Sequence, residues 1–197
     1  MRIVLLALFL AAAPAYGQAR TKGFSITPRL YGASFTVDDA GDEVDGGGGL
    51  GLRLGYGFSK TVTAFVALEG AGIDAEGGPF ENINDEYALG AFDIGAQFSF
   101  LPSNSINPFV RVGLNGTAAV FDVEGLDSDD DPEIAGGGLT LGVGAEFFLS
   151  RSLAIEAALD LSGGQINTFR IGNVQFNDLD GSDYGAGRLG VGLVWRP

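Results

Sequence analysis

From Leu139 to Phe147 the chain reads Leu-Thr-Leu-Gly-Val-Gly-Ala-Glu-Phe, large apolar residues alternating with small or polar ones. A period of two marks a β-strand whose two faces meet chemically different surroundings. The pattern recurs and predicts strands near 23–37, 49–58, 62–73, 87–100, 109–121, 135–148, 153–166 and 185–195. The connections 59–61, 101–108 and 149–152 are short, whereas 38–48, 74–86, 122–134 and 167–184 are long. Short and long connections alternate strictly, as they do in up-and-down hairpins that close into a barrel. Beyond the first residues no segment carries a helical period, and no linker divides the chain.

The faces separate cleanly. Near 49–58, Leu50, Leu52, Leu54, Tyr56 and Phe58 oppose Gly51, Arg53, Gly55 and Gly57. Near 109–121, Val110, Val112, Leu114, Ala118 and Val120 oppose Arg111, Gly113, Asn115 and Thr117. Near 153–166, Leu153, Ile155, Ala157, Leu159 and Leu161 oppose Glu156, Asp160 and Ser162. No charge falls on the apolar face of any strand.

Composition decides which face is inside. A water-soluble barrel turns its apolar face inward and crowds its exterior with long charged residues. Here the polar face is mostly Gly, Ala, Ser and Thr, and beyond the N-terminal segment the only lysines are Lys22 and Lys60, neither in mid-strand. The apolar face therefore meets lipid and the small-residue face lines a narrow interior. An eight-stranded barrel has just enough room for side chains to fill it. The inward charges predicted are Arg29, Arg53, Arg111 and Arg188 against Glu69, Asp93, Glu146, Glu156 and Asp160. Their near balance is what buried ions need in order to stay charged, and they read as a salt-bridged plug.

Residues 1–17 read as a secretory signal peptide: Arg2, an apolar run from Ile3 to Ala13, and Ala15-Tyr16-Gly17 before the cut, with cleavage after 17 or 19. The apolar run falls short of the roughly 20 residues a membrane-spanning helix needs. Residues 18–197 then form one domain. The chain has no cysteine, which removes disulfides and thiolate metal sites and fits an exported bacterial envelope protein. A net charge of −14 has the wrong sign for a nucleic-acid partner.

Charge and aromatic residues are ordered along the barrel axis. Of 25 acidic residues, five belong to the interior set and the other twenty lie in or beside the long connections. Arg20, Lys22, Lys60, Arg151 and Arg196 all lie at the short-turn end. Tyr56, Phe58, Phe98, Phe100, Phe109, Phe147, Phe148 and Trp195 gather at that same end, and Tyr31, Phe35, Tyr87, Phe121 and Tyr184 toward the long loops. Both groups read as girdles at the lipid–water boundaries.

Taken together, the signal peptide, the glycine-rich alternation of Gly49-Leu-Gly-Leu-Arg-Leu-Gly-Tyr-Gly-Phe58 and the hairpin Glu146-Phe-Phe-Leu-Ser-Arg-Ser-Leu-Ala-Ile-Glu156 resemble the small outer-membrane β-barrel proteins of Gram-negative bacteria. That group includes the OmpA transmembrane domain and OmpX-like and porin-family proteins. The resemblance covers the chain after residue 17. It implies an all-β, eight-stranded antiparallel up-and-down transmembrane barrel in the bacterial outer membrane, with periplasmic turns and surface loops. It also implies outer-membrane lipid and lipopolysaccharide as surroundings, the barrel-assembly machinery as a folding partner, and a monomer. Where family members end on an aromatic residue, this sequence reads Trp195-Arg196-Pro197, and no peptidoglycan-binding domain is expected.

Candidate chemistry is sparse. The chain has no histidine, the usual general base and one on which barrel enzymes of this kind rely, so no enzyme is expected. Gly185-Ala-Gly-Arg-Leu-Gly190 fits a dinucleotide fingerprint but has no helix after it, so it reads as strand glycine and no cofactor is expected. Asp127, Asp129, Asp131 and Glu133 form an acidic cluster able to hold a hard cation weakly, although Pro132 stands where a calcium loop wants glycine. Association with lipopolysaccharide phosphates is expected to run through such divalent cations. The leading functional reading is a structural or interaction protein that displays acidic loops. The alternatives are a narrow porin-like channel for small solutes or hydrophobic ligands, and a soluble lipocalin-like binding barrel.

Overall fold

A computed structural model of the chain describes residues 21–37, 45–74, 86–121, 132–171 and 174–197. The predicted signal peptide lies outside the described residues. Eight antiparallel strands close on themselves: β1 Gly23–Val37, β2 Asp45–Gly57, β3 Val62–Asp74, β4 Glu86–Ser99, β5 Ile106–Phe121, β6 Glu133–Phe148, β7 Leu153–Ile171 and β8 Val174–Trp195. Each strand pairs with its sequence neighbours, and β1 pairs with β8 to complete the barrel. No helix occurs among the described residues.

The last connection departs from the expected loop over 167–184. Its asparagine, aspartate and glycine content reads as a turn, yet β7 and β8 continue through most of it and pair as far as Ile171 with Val174. Register shifts occur between Ala135 and Gly136 and between Ile166 and Thr168, where this hairpin leaves the rim. Such irregularities are common at barrel rims.

The outer surface has a sharp upper edge. Leu30, Leu50, Leu68, Phe92, Leu114, Leu139, Leu161 and Leu189 are all exposed, one on each strand. Two residues further toward the long-loop end every strand carries a glycine: Gly32, Gly48, Gly70, Gly90, Gly116, Gly137, Gly163 and Gly187. Below this edge the exposed apolar band runs to Tyr56, Phe98, Phe147 and Trp195 near the short turns. From Leu50 to Phe58, at ~3.3 Å per residue and a tilt of ~40°, the band is about 20 Å tall. That height suits the thin bacterial outer membrane. A soluble lipocalin-like barrel would hide these residues, so this surface is against that alternative.

The interior has two storeys. The lower one, within the apolar band, is polar and charged. The upper one, toward the long loops, is an apolar core of Tyr31, Phe35, Ile73, Tyr87, Leu89, Ile166 and Tyr184. Four aromatics expected in an outer girdle therefore point inward instead: Tyr31, Phe35, Tyr87 and Tyr184 are each at most 7% exposed. Phe35 stacks on Tyr184 with ring centroids 6.0 Å apart and meets Tyr87 edge-on at 6.4 Å. The lower girdle keeps most of its predicted members on the outside, but Phe109 is 2% exposed and lies against the Arg111 guanidinium at 4.3 Å.

A buried ion-pair network as the candidate functional site

Strand parity brings the charges together. Arg29 (β1), Arg53 (β2), Glu69 (β3), Asp93 (β4), Arg111 (β5), Glu146 (β6), Glu156 and Asp160 (β7) and Arg188 (β8) are all buried in the lower interior. None could face lipid, where an unpaired charge in mid-strand costs several kcal/mol. Inward glycines make room for them. A Cβ on Gly51 would press on the Glu69 side chain, one on Gly142 on the Asp160 carboxylate, and one on Gly192 on Thr27 and Arg29.

At the centre, Glu156 Oε2 accepts from both Arg53 Nη2 and Arg111 Nη2. Asp160 accepts from Arg29 Nη2 at 2.7 Å and Arg111 Nη1 at 3.2 Å. Arg29 Nη1 also donates to Glu69 Oε1 at 2.7 Å. Toward the long loops, Arg188 Nη1 donates to Glu69 Oε2 at 2.6 Å and Asp93 Oδ2 at 2.7 Å, and its Nη2 reaches Ser162 Oγ at 2.6 Å. Asp93 is held further by Thr140 Oγ1 at 2.6 Å and Asn115 Nδ2 at 2.9 Å. Asn115 Oδ1 then accepts from the Tyr184 hydroxyl at 2.6 Å, which ties the network to the apolar core.

Toward the short turns the network gains a member absent from the predicted set. Arg196 Nη2 donates to Glu146 Oε1 at 2.7 Å, and only 7% of the residue is exposed. Asn107 Nδ2 and Gln97 Nε2 donate to the same carboxylate, each at 3.3 Å, and Gln97 Oε1 accepts from Arg111 Nε at 3.0 Å. With Arg196 included, five arginines face five carboxylates, so the buried charge cancels. The signal lay in the alternation itself: Trp195 faces out, so its neighbour faces in. The neutral partners Gln97, Asn107, Asn115 and Thr140 also share parity with the charges but carry no charge to draw attention.

An unbroken path of ion pairs and hydrogen bonds therefore crosses the lower barrel from Arg196 to Tyr184. Its members are buried and mutually paired, which suits rigid filling of the interior more than passage of solute. Each of the five carboxylates in the network has at least one arginine partner.

The acidic-loop candidates fall differently. Asp127, Asp129 and Asp131 lie outside the described residues. Glu133 is described and is paired with Arg170 on the barrel exterior. Among the described residues no cluster of acidic, histidine or cysteine side chains is arranged to hold a metal ion.

Comparison with known proteins agrees with this geometry. Residues 3–196 match the family model for the outer membrane protein beta-barrel domain. The fold is similar to that of Neisserial surface protein A, with a TM-score of 0.64 at 14% identity over 89% of this chain and 98% of that one. Similar too are OprG of Pseudomonas aeruginosa (0.57, 13%, 91% and 99%) and Ail of Yersinia pestis (0.51, 18%, 89% and 100%). No curated protein matches by sequence. A closed eight-stranded barrel with a lipid-facing apolar band, matched by that family model over almost its whole length, makes this chain a member of the outer membrane protein beta-barrel domain family, resident in the bacterial outer membrane.

Proposed function

We propose that the protein is a closed structural and interaction barrel rather than an enzyme or a conduit. Its filled interior keeps the fold rigid while the segments between strands display acidic groups at the cell surface. The observation that carries this reading is the interior itself. Five arginines and five carboxylates are paired in one network, and a buried apolar core lies above them. Water-borne solute would have to displace both storeys. The short turns face the periplasm in this reading, the long loops face outward, and residues 1–17 are removed on export.

Planar-bilayer conductance tests it. The refolded protein is expected to give no reproducible single-channel steps. Steps whose size changes in Arg53→Ala or Arg111→Ala would establish the porin-like reading in its place.

The acidic loops set the chemistry of the surface partner. Ail has been crystallised with the heparin analogue sucrose octasulfate, a polyanion. Here the sign is opposite: Asp38, Asp39, Asp42 and Glu43 follow β1, and Asp122 to Asp131 follow β5. Contact with lipopolysaccharide phosphates would run through divalent cations, since direct approach is repulsive. Calorimetry with magnesium or calcium is expected to show weak uptake, and the absence of any heat of binding would remove this element. Assembly through the barrel-assembly machinery and a monomeric state complete the proposal.

A further inference from the structure

The basic end of the barrel is left unused by this reading. At the short-turn end the segments 21–28, 54–66, 94–110, 147–155 and 189–197 contain no side-chain carboxylate. Lys22, Lys60 and Arg151 are exposed there, and among the described residues none has an ion-pair partner. Their placement is not even around the rim. The Thr21 hydroxyl donates to the Lys60 carbonyl at 2.6 Å, which brings the backbones before Lys22 and at Lys60 together. On the other side, the Arg196 amide donates to the Ser152 carbonyl at 2.8 Å, fixing the turn that carries Arg151 against the end of β8. The three bases thus lie on the half of the rim that runs from the β6–β7 turn, across the β8–β1 seam, to the β2–β3 turn, with Lys22 and Lys60 together at one side of the seam and Arg151 at the other. The remaining turn, between β4 and β5, carries no base and exposes Phe100 and Leu101.

Directly above this sector the lipid-facing surface is aromatic. Phe24 and Tyr56 are register partners, 45% and 53% exposed, and Tyr56 meets Phe58 edge-on at 5.1 Å. Trp195 lies at the seam, paired with Ile26 on one side and Leu153 on the other. Rings at the glycerol level with cations just beyond them match a lipid whose headgroup bears a net negative charge.

We propose that this half of the rim binds anionic glycerophospholipid, with Lys22 and Lys60 holding a headgroup phosphate on one side of the seam, Arg151 drawing a headgroup on the other, and Phe24, Tyr56, Phe58 and Trp195 packing on the glycerol and upper acyl chains. The inner leaflet of the outer membrane supplies this lipid. That leaflet assignment rests on the orientation proposed above; the lipid preference does not, so a symmetric bilayer tests it separately.

Trp195 is the only tryptophan in the chain and sits in the middle of the sector. The full chain, refolded into phosphatidylcholine bilayers, reports its neighbours by fluorescence quenching. A fixed fraction of lipid carries brominated acyl chains, on phosphatidylglycerol in one series and on phosphatidylcholine in the other. The ratio of the two quenching-derived association constants is expected to be at least about fivefold in favour of phosphatidylglycerol, the factor that a single well-placed basic residue supplies, and to shrink in high salt. In Lys22→Gln/Lys60→Gln/Arg151→Gln it is expected to fall to about one, with heat-dependent gel mobility confirming a folded barrel. Arg170→Gln, which removes the exposed base at the opposite end, is expected to leave the ratio unchanged. Equal quenching by both lipids in the unaltered protein overturns the proposal. So does a preference that survives the triple substitution, or one that Arg170→Gln abolishes. Soluble glycerol phosphate at millimolar concentration is expected not to compete; if it did, the site would be a simple phosphate site and the assignment to lipid would fall. Retention of the unaltered protein, but not the triple variant, on isolated peptidoglycan without any lipid preference would assign the sector to the cell wall and overturn it equally.

Discussion

Glu156→Gln is the most searching single change in the interior. The side chain is fully buried, and its Oε2 accepts from Arg53 and Arg111 while Arg29 Nε stands 3.7 Å from Oε1. Glutamine preserves volume and shape, so packing changes little. What changes is charge: Arg29 keeps Glu69 and Asp160 and Arg111 keeps Asp160, but Arg53 is left without an ion-pair partner among the described residues. Breaking a buried pair by neutralising one partner costs about 3–5 kcal/mol, mostly because the remaining ion is buried and uncompensated. Arg53 Nη1 and Glu156 Oε1 have no hydrogen-bond partner among the described residues, which puts the expected loss near the low end, about 3 kcal/mol. The assay is urea unfolding from lipid vesicles, with mutant and unaltered protein compared at the same lipid ratio. The partner experiment is the double variant Glu156→Gln/Arg53→Gln, which restores equal numbers of buried positive and negative groups. Its loss is expected to fall short of the sum of the two single losses by about 1–3 kcal/mol. Strict additivity, or a Glu156→Gln loss under about 1 kcal/mol, would refute the claim that these charges act as one network.

Four further substitutions probe other parts of the barrel. Gly138→Ala drives its Cβ into the backbone of Gly163 and Gly164, and is expected to cost about 1–3 kcal/mol, whereas Gly70→Ala enters open space outside the barrel and should stay within about 0.5 kcal/mol of unaltered stability in the same urea assay. Ile73→Ala, at a position 0% exposed in the upper core, is expected to cost about 2–5 kcal/mol and to open the long-loop end to protease before the lipid-embedded part unfolds. Glu133→Gln breaks a pair whose arginine side chain is 50% exposed, so its effect on unfolding is expected to stay below about 1 kcal/mol.

Most of the lower barrel was legible in the sequence because lipid enforces the rule that a charged residue in mid-strand must face inward. Arg111 and Glu156 could be assigned to the interior on that ground alone. The upper storey departs from the expected girdle because parity, not the bunching of aromatic residues near strand ends, decides which way a side chain points. Tyr31 is two residues from Arg29, Tyr184 is four from Arg188, and Tyr87 is six from Asp93. Each shares a face with an inward charge, so alternation alone places them inside. Arg196 follows from Trp195 in the same way. The strand content of 167–184 was only partly legible: Thr168-Phe-Arg-Ile171 and Val174-Gln-Phe-Asn177 alternate at period two on either side of Gly172-Asn173, whereas the asparagine, aspartate and glycine of 177–183 carry no such signal.

The β1–β8 seam has a consequence for how the protein comes to exist in the membrane at all. Seven of the eight strand pairings join neighbours in sequence, but the seam brings Ile26 to Trp195 and Val37 to Tyr184, at opposite ends of the chain. Joining ends so far apart carries an entropy cost of about 4 kcal/mol beyond that of the hairpins. An open sheet in lipid would meanwhile leave two rows of amide and carbonyl groups unpaired, each group costing several kcal/mol. A half-inserted sheet is therefore a worse state than either the unfolded chain in water or the finished barrel. Insertion and ring closure have to proceed together, and the same barrier makes the finished barrel slow to leave, so its lifetime in the membrane is set by the rate at which that seam opens.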